Sequence, residues 1–244
     1  MRPGTVDVAT RSLAKSWRVE RAYYTGLSVA AIATVIVGFG PTYYFRPFTG
    51  GTSLSPLVSV HAAVLTAWMV FLVLQTSVIA SGRPQLHRRL GLVGACLAGC
   101  VLVMGYATAI AAARRGYNFP APGLPDSFAF LVIPLRDLLV FSALTLLAFY
   151  YRRTAETHKR LMVLATIGGL LPAALTRVPF GQPVSAAVLF ILFLVAGPVY
   201  DRWSRGRVHT VHRWASVPVF VSVPLSAVVG GTQWWSTVAH WLAQ

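Results

Sequence analysis

Residues 57–113 read LVSVHAAVLTAWMVFLVLQTSVIA, then SGRP, then QLHRRLGLVGACLAGCVLVMGYATAIAAA. Two apolar runs of 24 and 29 residues face each other across Ser81-Gly82-Arg83-Pro84, a short turn carrying one cation. A bilayer core takes about twenty mostly apolar residues per helix. The stretch therefore reads as two transmembrane helices joined by a tight loop.

The same pattern extends along the chain. Seven segments qualify as spans, at roughly 22–45, 57–80, 85–113, 128–151, 156–176, 182–200 and 211–230. The fifth and seventh are interrupted by Pro172, Pro218 and Pro224, and each reaches full length only if its helix begins in the preceding basic loop. Proline is tolerated in a span where neighbouring helices take up the freed carbonyls. Composition agrees: 56% of the 244 residues are hydrophobic and 11% charged, against about a quarter charged in soluble domains.

The net charge of +15 would suit nucleic acid, but nucleic-acid binders carry their cations on a polar scaffold. Here they sit between apolar runs. Sixteen of the 21 Lys and Arg fall on one side: Arg2, Arg11, Lys15, Arg18, Arg21, Arg83, Arg88, Arg89, Arg152, Arg153, Lys159, Arg160, Arg202, Arg205, Arg207 and Arg213. Arg46, Arg114, Arg115 and Arg177 fall on the other, and Arg136 lies within a span. The positive-inside rule then predicts an all-α, seven-span bundle of a bacterial inner membrane, N-terminus in the cytoplasm and C-terminus outside. Residues 1–21 form a basic cytoplasmic segment, 22–230 the transmembrane domain, and 231–244 a Trp-rich tail along the outer surface. Arg11, Lys15 and Arg18, at i, i+4 and i+7, suit a short interfacial helix against anionic lipid. Aromatic residues are expected at the inner interface (Trp17, Tyr23, Tyr150, Tyr151, Tyr200, Trp203, Trp214) and the outer one (Tyr43, Tyr44, Tyr117, Trp234, Trp235, Trp241). The polar stretch before the first span, and that span's length, do not suit a cleavable signal.

Three loops on the basic side lead into the next span with histidine. They read Leu86-His87-Arg88-Arg89-Leu90-Gly91, Thr157-His158-Lys159-Arg160-Leu161-Met162, and Val211-His212-Arg213-Trp214 with His209 three residues before His212. The pattern suggests one helical hairpin used three times after a solitary first helix. Pro84 at a first helical position and Thr154 as an N-cap would put His87 and His158 in equivalent first turns. A helix N-terminus disfavours a cation, so imidazole there stays neutral and has a lone pair for a metal. His87, His158 and His212, with His209, are thus candidate ligands for haem b or a transition metal at the cytoplasmic surface. The plainer alternative is a topology signal: the cations bind lipid phosphates and the histidines are merely interfacial.

These helix starts resemble those of uncharacterised bacterial multi-pass membrane proteins. More distantly, they resemble small haem–copper oxidase assembly proteins and cytochrome b-type membrane electron carriers, over about residues 57–176. The resemblance implies a redox or metal role centred on His87 and His158. A two-haem carrier has histidine pairs at both faces; here only His61 and His240 fall on the outer side.

A second constellation is expected near the outer face. His61, Trp68 and Gln75 recur every seven residues on one side of the second span, and such a polar stripe should face the bundle. Arg136 and Asp137 sit about 10 Å inside the same face. Arg177 ends the fifth span there. Asp137 would pair with His61 or Arg177 and Arg136 would reach the headgroups, giving a polar pocket for an anionic or quinone-like small molecule. The alternative is a structural ion pair.

Gly91, Ala95 and Gly99 at i, i+4 and i+8 form a close-packing face, within the bundle or in a homo-oligomer or membrane-protein complex. Cys96 and Cys100 lie beside it and are small buried thiols or soft metal ligands. No phosphate loop, His-Glu-x-x-His, Cys-x-x-Cys or Gly-x-Ser-x-Gly signature is present. Three functions therefore stand: a haem- or metal-associated electron carrier or oxidase-assembly accessory, a cofactor-free structural subunit, and a small-molecule carrier.

Overall fold

The computed structural model describes residues 3–49, 53–116, 124–178 and 184–244, with side chains from Trp17 onward. Arg2 and Tyr117, and the side chains of Arg11 and Lys15, lie outside the described residues. Those described are helical, with no strand among them. Helix α1 (Pro3–Phe39) runs through the basic segment into a π-helical turn at Gly40–Tyr44. Helices α2 (Pro56–Ala80) and α3 (Pro84–Arg114) form the first hairpin. The short α4 (Ser127–Phe130) leads into α5 (Val132–Tyr150), then α6 (Ala155–Gly169) and α7 (Leu171–Leu175). Helix α8 (Val184–Arg205) follows, then a π-helical turn at His212–Ser216, α9 (Val217–Gly230) and α10 (Gln233–Leu242).

Six segments are long and apolar enough to cross a membrane: Trp17–Tyr44, Pro56–Ala80, Pro84–Arg114, Ser127–Tyr150, Val184–Arg205 and His212–Gly230. Their outward surface is apolar. Leu92, Val103, Leu139, Leu146 and Val228 are each about 70% exposed, a pattern that water would penalise and lipid accepts. The architecture is that of a multi-pass membrane protein.

The fifth expected span is built differently. Pro172 has no N–H for the Gly168 carbonyl, and the helix breaks at Leu170 into α6 and α7. Leu161, Ala165, Thr166, Leu171 and Ala174 are fully enclosed, so α6–α7 is the axis around which the other helices pack. Close approach needs glycine here. A Cβ on Gly38 would collide with the Ala174 backbone, and one on Gly169 with the backbone of Asp137 and Phe141. Lys159, at the start of α6, pairs with Glu20 of α1; Arg177, just after α7, lies over the Phe39 ring at 4.8 Å.

The expected threefold hairpin holds for α2–α3 and α5–α6, which pack closely; α9 instead leaves α8 and packs on α5. The tail helix α10 is amphipathic. Ala239 and Trp235 are buried against α3 and α4, Trp234 and Trp241 are exposed, and Trp235 Nε1 donates to the Phe128 carbonyl (3.0 Å). Arg114 Nε donates to the Ala243 carbonyl (2.6 Å) and ties the tail down.

Candidate functional site

His87 and His158 occupy the fourth position of their helices, counted from Pro84 and Ala155. Thr154 stands at the N-cap of α6 but makes no side-chain capping bond. The helix starts bring the two imidazoles together, with ring centroids 6.1 Å apart and planes at 78°. His158 donates from Nδ1 to the Ala148 carbonyl (2.8 Å). A carbonyl only accepts, so this bond fixes the tautomer and leaves the Nε2 lone pair free. Nδ1 of His87 is buried without a hydrogen-bond partner, and so is Oε1 of Gln75, whose Nε2 reaches the His87 carbonyl at 3.5 Å.

The expected set of three or four imidazoles is not assembled. His212 packs against Gly197, where a Cβ would collide with the ring, and its Nε2 lies 3.4 Å from Asp201 Oδ2. The backbone N–H of His209 donates to the same oxygen (3.1 Å), and its Nδ1 accepts from Val211 N–H (3.3 Å). The first two helix starts are related, whereas the third enters through a π-helical turn that swings His212 toward α8. Among the described residues, no three His, Cys, Asp or Glu side chains are arranged to hold a metal ion.

Asp201 instead centres an ion cluster that joins α1, α6 and α8. It is fully buried and pairs with Arg160, itself 2% exposed, through both carboxylate oxygens. Glu156 accepts from Lys159 (2.6 Å), Arg160 (2.7 Å) and Arg205 (2.6 Å). Glu20 closes the ring by pairing with Lys159 and Arg205. Tyr23 stacks on Tyr200 at 3.9 Å, Tyr24 meets both edge-on, and Lys159 lies over the Tyr24 ring at 5.2 Å. Partial burial, with the nearby Arg160 cation, lowers the pKa of His209, in the loop before the last span; Asp201 and Glu156 oppose this. The sequence reading missed this cluster, although Glu20, Glu156 and Asp201 are half of the chain's six acids and all fall among the sixteen cations.

The residues expected to form the outer pocket are not all brought together. His61 and Gln75 are 14 residues apart, about 21 Å along one helix, so Gln75 belongs with His87 at the other end. Trp68 lies between them, fully buried, with Nε1 donating to Thr166 Oγ1 (3.1 Å) and its ring edge-on to Phe141. Arg177 donates to the Ala173 carbonyl (2.6 Å) rather than meeting Asp137.

Arg136 does not reach the headgroups either. Its flexible chain curls inward so that Nη1 donates to Asp137 Oδ1 (2.5 Å) and the Gly168 carbonyl (3.1 Å). Nη2 donates to the Val219 carbonyl (2.8 Å) and Nε to Ser222 Oγ (2.8 Å). The Gly168 carbonyl is the one Pro172 frees, so the guanidinium caps the break in the fifth segment and fastens α5 and α6 to α9.

On α3, Gly94, Ala98 and Gly105 face the bundle, with Gly94 against Phe71 and Gly105 against Leu138. The Gly91, Ala95 and Gly99 face is not the packed one: a Cβ on Gly91 or Gly99 would meet nothing within 4 Å. Cys96 and Cys100 are exposed on that side, which corrects the expectation of buried thiols. No protein-family model, curated protein or solved structure matches the chain.

Proposed function

We propose that this is a bacterial inner-membrane protein that crosses the bilayer seven times, and that His87 and His158 are the two protein ligands of a haem iron or another transition-metal group at its cytoplasmic face. Seven crossings are supported by α6–α7, whose two ends meet the two ends of the α1 span, and by the sixteen-to-four division of cations. The single observation that carries the site is the pairing of the two imidazoles at 6.1 Å, with a partnerless buried nitrogen on His87 and a free lone pair on His158.

The donor set favours haem over a bare ion. A structural zinc ion takes four protein ligands, but a haem brings four nitrogens of its own and asks the protein for two. Such a group would supply one-electron chemistry at one face. His158, held by Ala148, and His87, beside Gln75, would hold and orient it. This suits an electron carrier that exchanges on the cytoplasmic side, or an accessory to oxidase assembly.

The test is the visible spectrum and metal content of the detergent-purified protein. A Soret band or bound metal that disappears in the folded His87→Ala and His158→Ala variants is expected. A colourless, metal-free, correctly folded preparation from haem-supplied cells overturns the reading. The second reading, a cofactor-free subunit of a membrane complex, is favoured by the open Gly91/Ala95/Gly99 face. It predicts a colourless protein that co-purifies as a larger assembly and disperses on Gly99→Leu.

A further inference from the structure

The acids at the basic face all stand on α1, α6 and α8, and between Glu20 and Asp126 the chain has none. The turn joining α2 to α3 therefore carries Arg83, Arg88 and Arg89 with no acid on either helix to meet them. Among the described residues these guanidiniums form no ion pair or hydrogen bond, whereas Lys159, Arg160 and Arg205 are each bonded to carboxylates. The turn is shaped by Gly82, whose φ of 76° lies in the left-handed region that a side chain would strain. Beyond it α3 starts on Pro84 with no side chain capping its first turn. Gly82, Arg83, Pro84, Gln85, Leu86 and Arg89 line an open cleft of about 540 Å³ at the level where the apolar spans end.

We propose that this cleft is a binding site for the headgroup of an anionic phospholipid, whose phosphodiester oxygens are taken by Arg83 and Arg89. The ligand class follows from three properties. Guanidinium forks match phosphate oxygens in geometry and charge. The uncapped first turn adds partial positive charge from its N–H groups. The position beside exposed Leu86 places an acyl chain along the apolar surface of α3 while the phosphate stays at the turn. The residues that line the cleft do not include His87 or His158.

The experiment titrates the purified full-length protein with phosphatidylglycerol, phosphatidylcholine or inorganic phosphate, and follows thermal unfolding and retained lipid by native mass spectrometry. Saturable stabilisation by phosphatidylglycerol alone is expected, with one lipid retained. A cation near a membrane surface contributes about fivefold in affinity, so Arg83→Gln with Arg89→Gln weakens binding about twenty-five-fold. Arg152→Gln with Arg153→Gln, at the α5–α6 turn, leaves it unchanged, and Arg83→Lys with Arg89→Lys keeps binding within about fivefold. The lipid-free melting temperature of each variant reports its folding separately. Equal binding by wild type and the Arg83/Arg89 variant overturns the proposal. An equal loss in the Arg152/Arg153 variant also overturns it, since only general charge would then matter. Inorganic phosphate reproducing the effect overturns the assignment to lipid.

Discussion

The two halves of the basic face handle charge in opposite ways. Around α6, three carboxylates meet three cations, and the Arg160–Asp201 pair is closed off from solvent. At the α2–α3 turn, three arginines stand exposed and, among the described residues, pair with no acid. The difference separates two uses of the same residue type. A cation that only sets topology can be left for water or lipid phosphate to balance, whereas a cation pulled between helices must be balanced from within the chain. Net charge alone would have placed both in one class.

Substitutions can break that distinction. The largest effect is expected from Asp201→Ala, which leaves the buried Arg160 with the part-exposed Glu156 as its one remaining counter-ion and should destabilise by about 3 kcal/mol in detergent unfolding. Replacing Arg160 and Asp201 together by Met and Leu should cost much less; an equal cost would mean that the pair itself, not the orphaned charge, carries the effect. Next comes Arg136→Met, which strips hydrogen bonds from the Gly168 and Val219 carbonyls and leaves Asp137 unpaired, at about 2–3 kcal/mol. Adding Pro172→Ala restores an N–H for the Gly168 carbonyl and should recover about 1 kcal/mol. Failure to recover would show that Arg136 does not act as a cap.

A smaller effect follows from His209. Its pKa is below the ordinary 6.5 in the folded protein, so folding binds fewer protons there than the unfolded chain does. Above pH 6.5 both states are neutral and nothing is lost. As pH falls below 6.5, the unfolded state protonates first and stability declines, until the folded group also protonates. The melting temperature should therefore fall from pH 7 toward pH 5, with a shallower slope in His209→Asn; an unaltered slope would sink this assignment. The smallest change is expected from Arg83→Gln in lipid-free detergent, within about 0.5 kcal/mol. A loss comparable to that of Asp201→Ala would erase the contrast between the two halves.

What could be read in advance was what depends on local runs. The apolar segments, the asymmetry of the cations and the break at Pro172 are all visible within windows of about twenty residues. The equivalence of His87 and His158 was legible for the same reason, since each is fixed by its own helix start. The partners were not. Arg160 and Asp201 are 41 residues apart and Lys159 and Glu20 are 139 apart, and nothing near Asp201 distinguishes a buried acid from one in a basic loop. Arg136 misled because depth was read from its Cα, while its long side chain reaches carbonyls on two other helices. Seven-residue spacing misled as well: it places His61 and Gln75 on one side of α2 but says nothing about how far apart they lie along it.

Arg136 also constrains the order in which the protein can be assembled. It is synthesised before Gly168, Val219 and Ser222, the residues whose oxygens it later engages. Until those segments arrive, its segment presents a guanidinium to the bilayer with one resident partner, the carboxylate of Asp137 next to it. An acid adjacent in sequence is the only kind of counter-ion certain to arrive with the cation. Asp137 thus acts as a travelling companion during insertion, and the docking of the broken fifth segment and of α9 is the step that releases the fourth from its dependence on it.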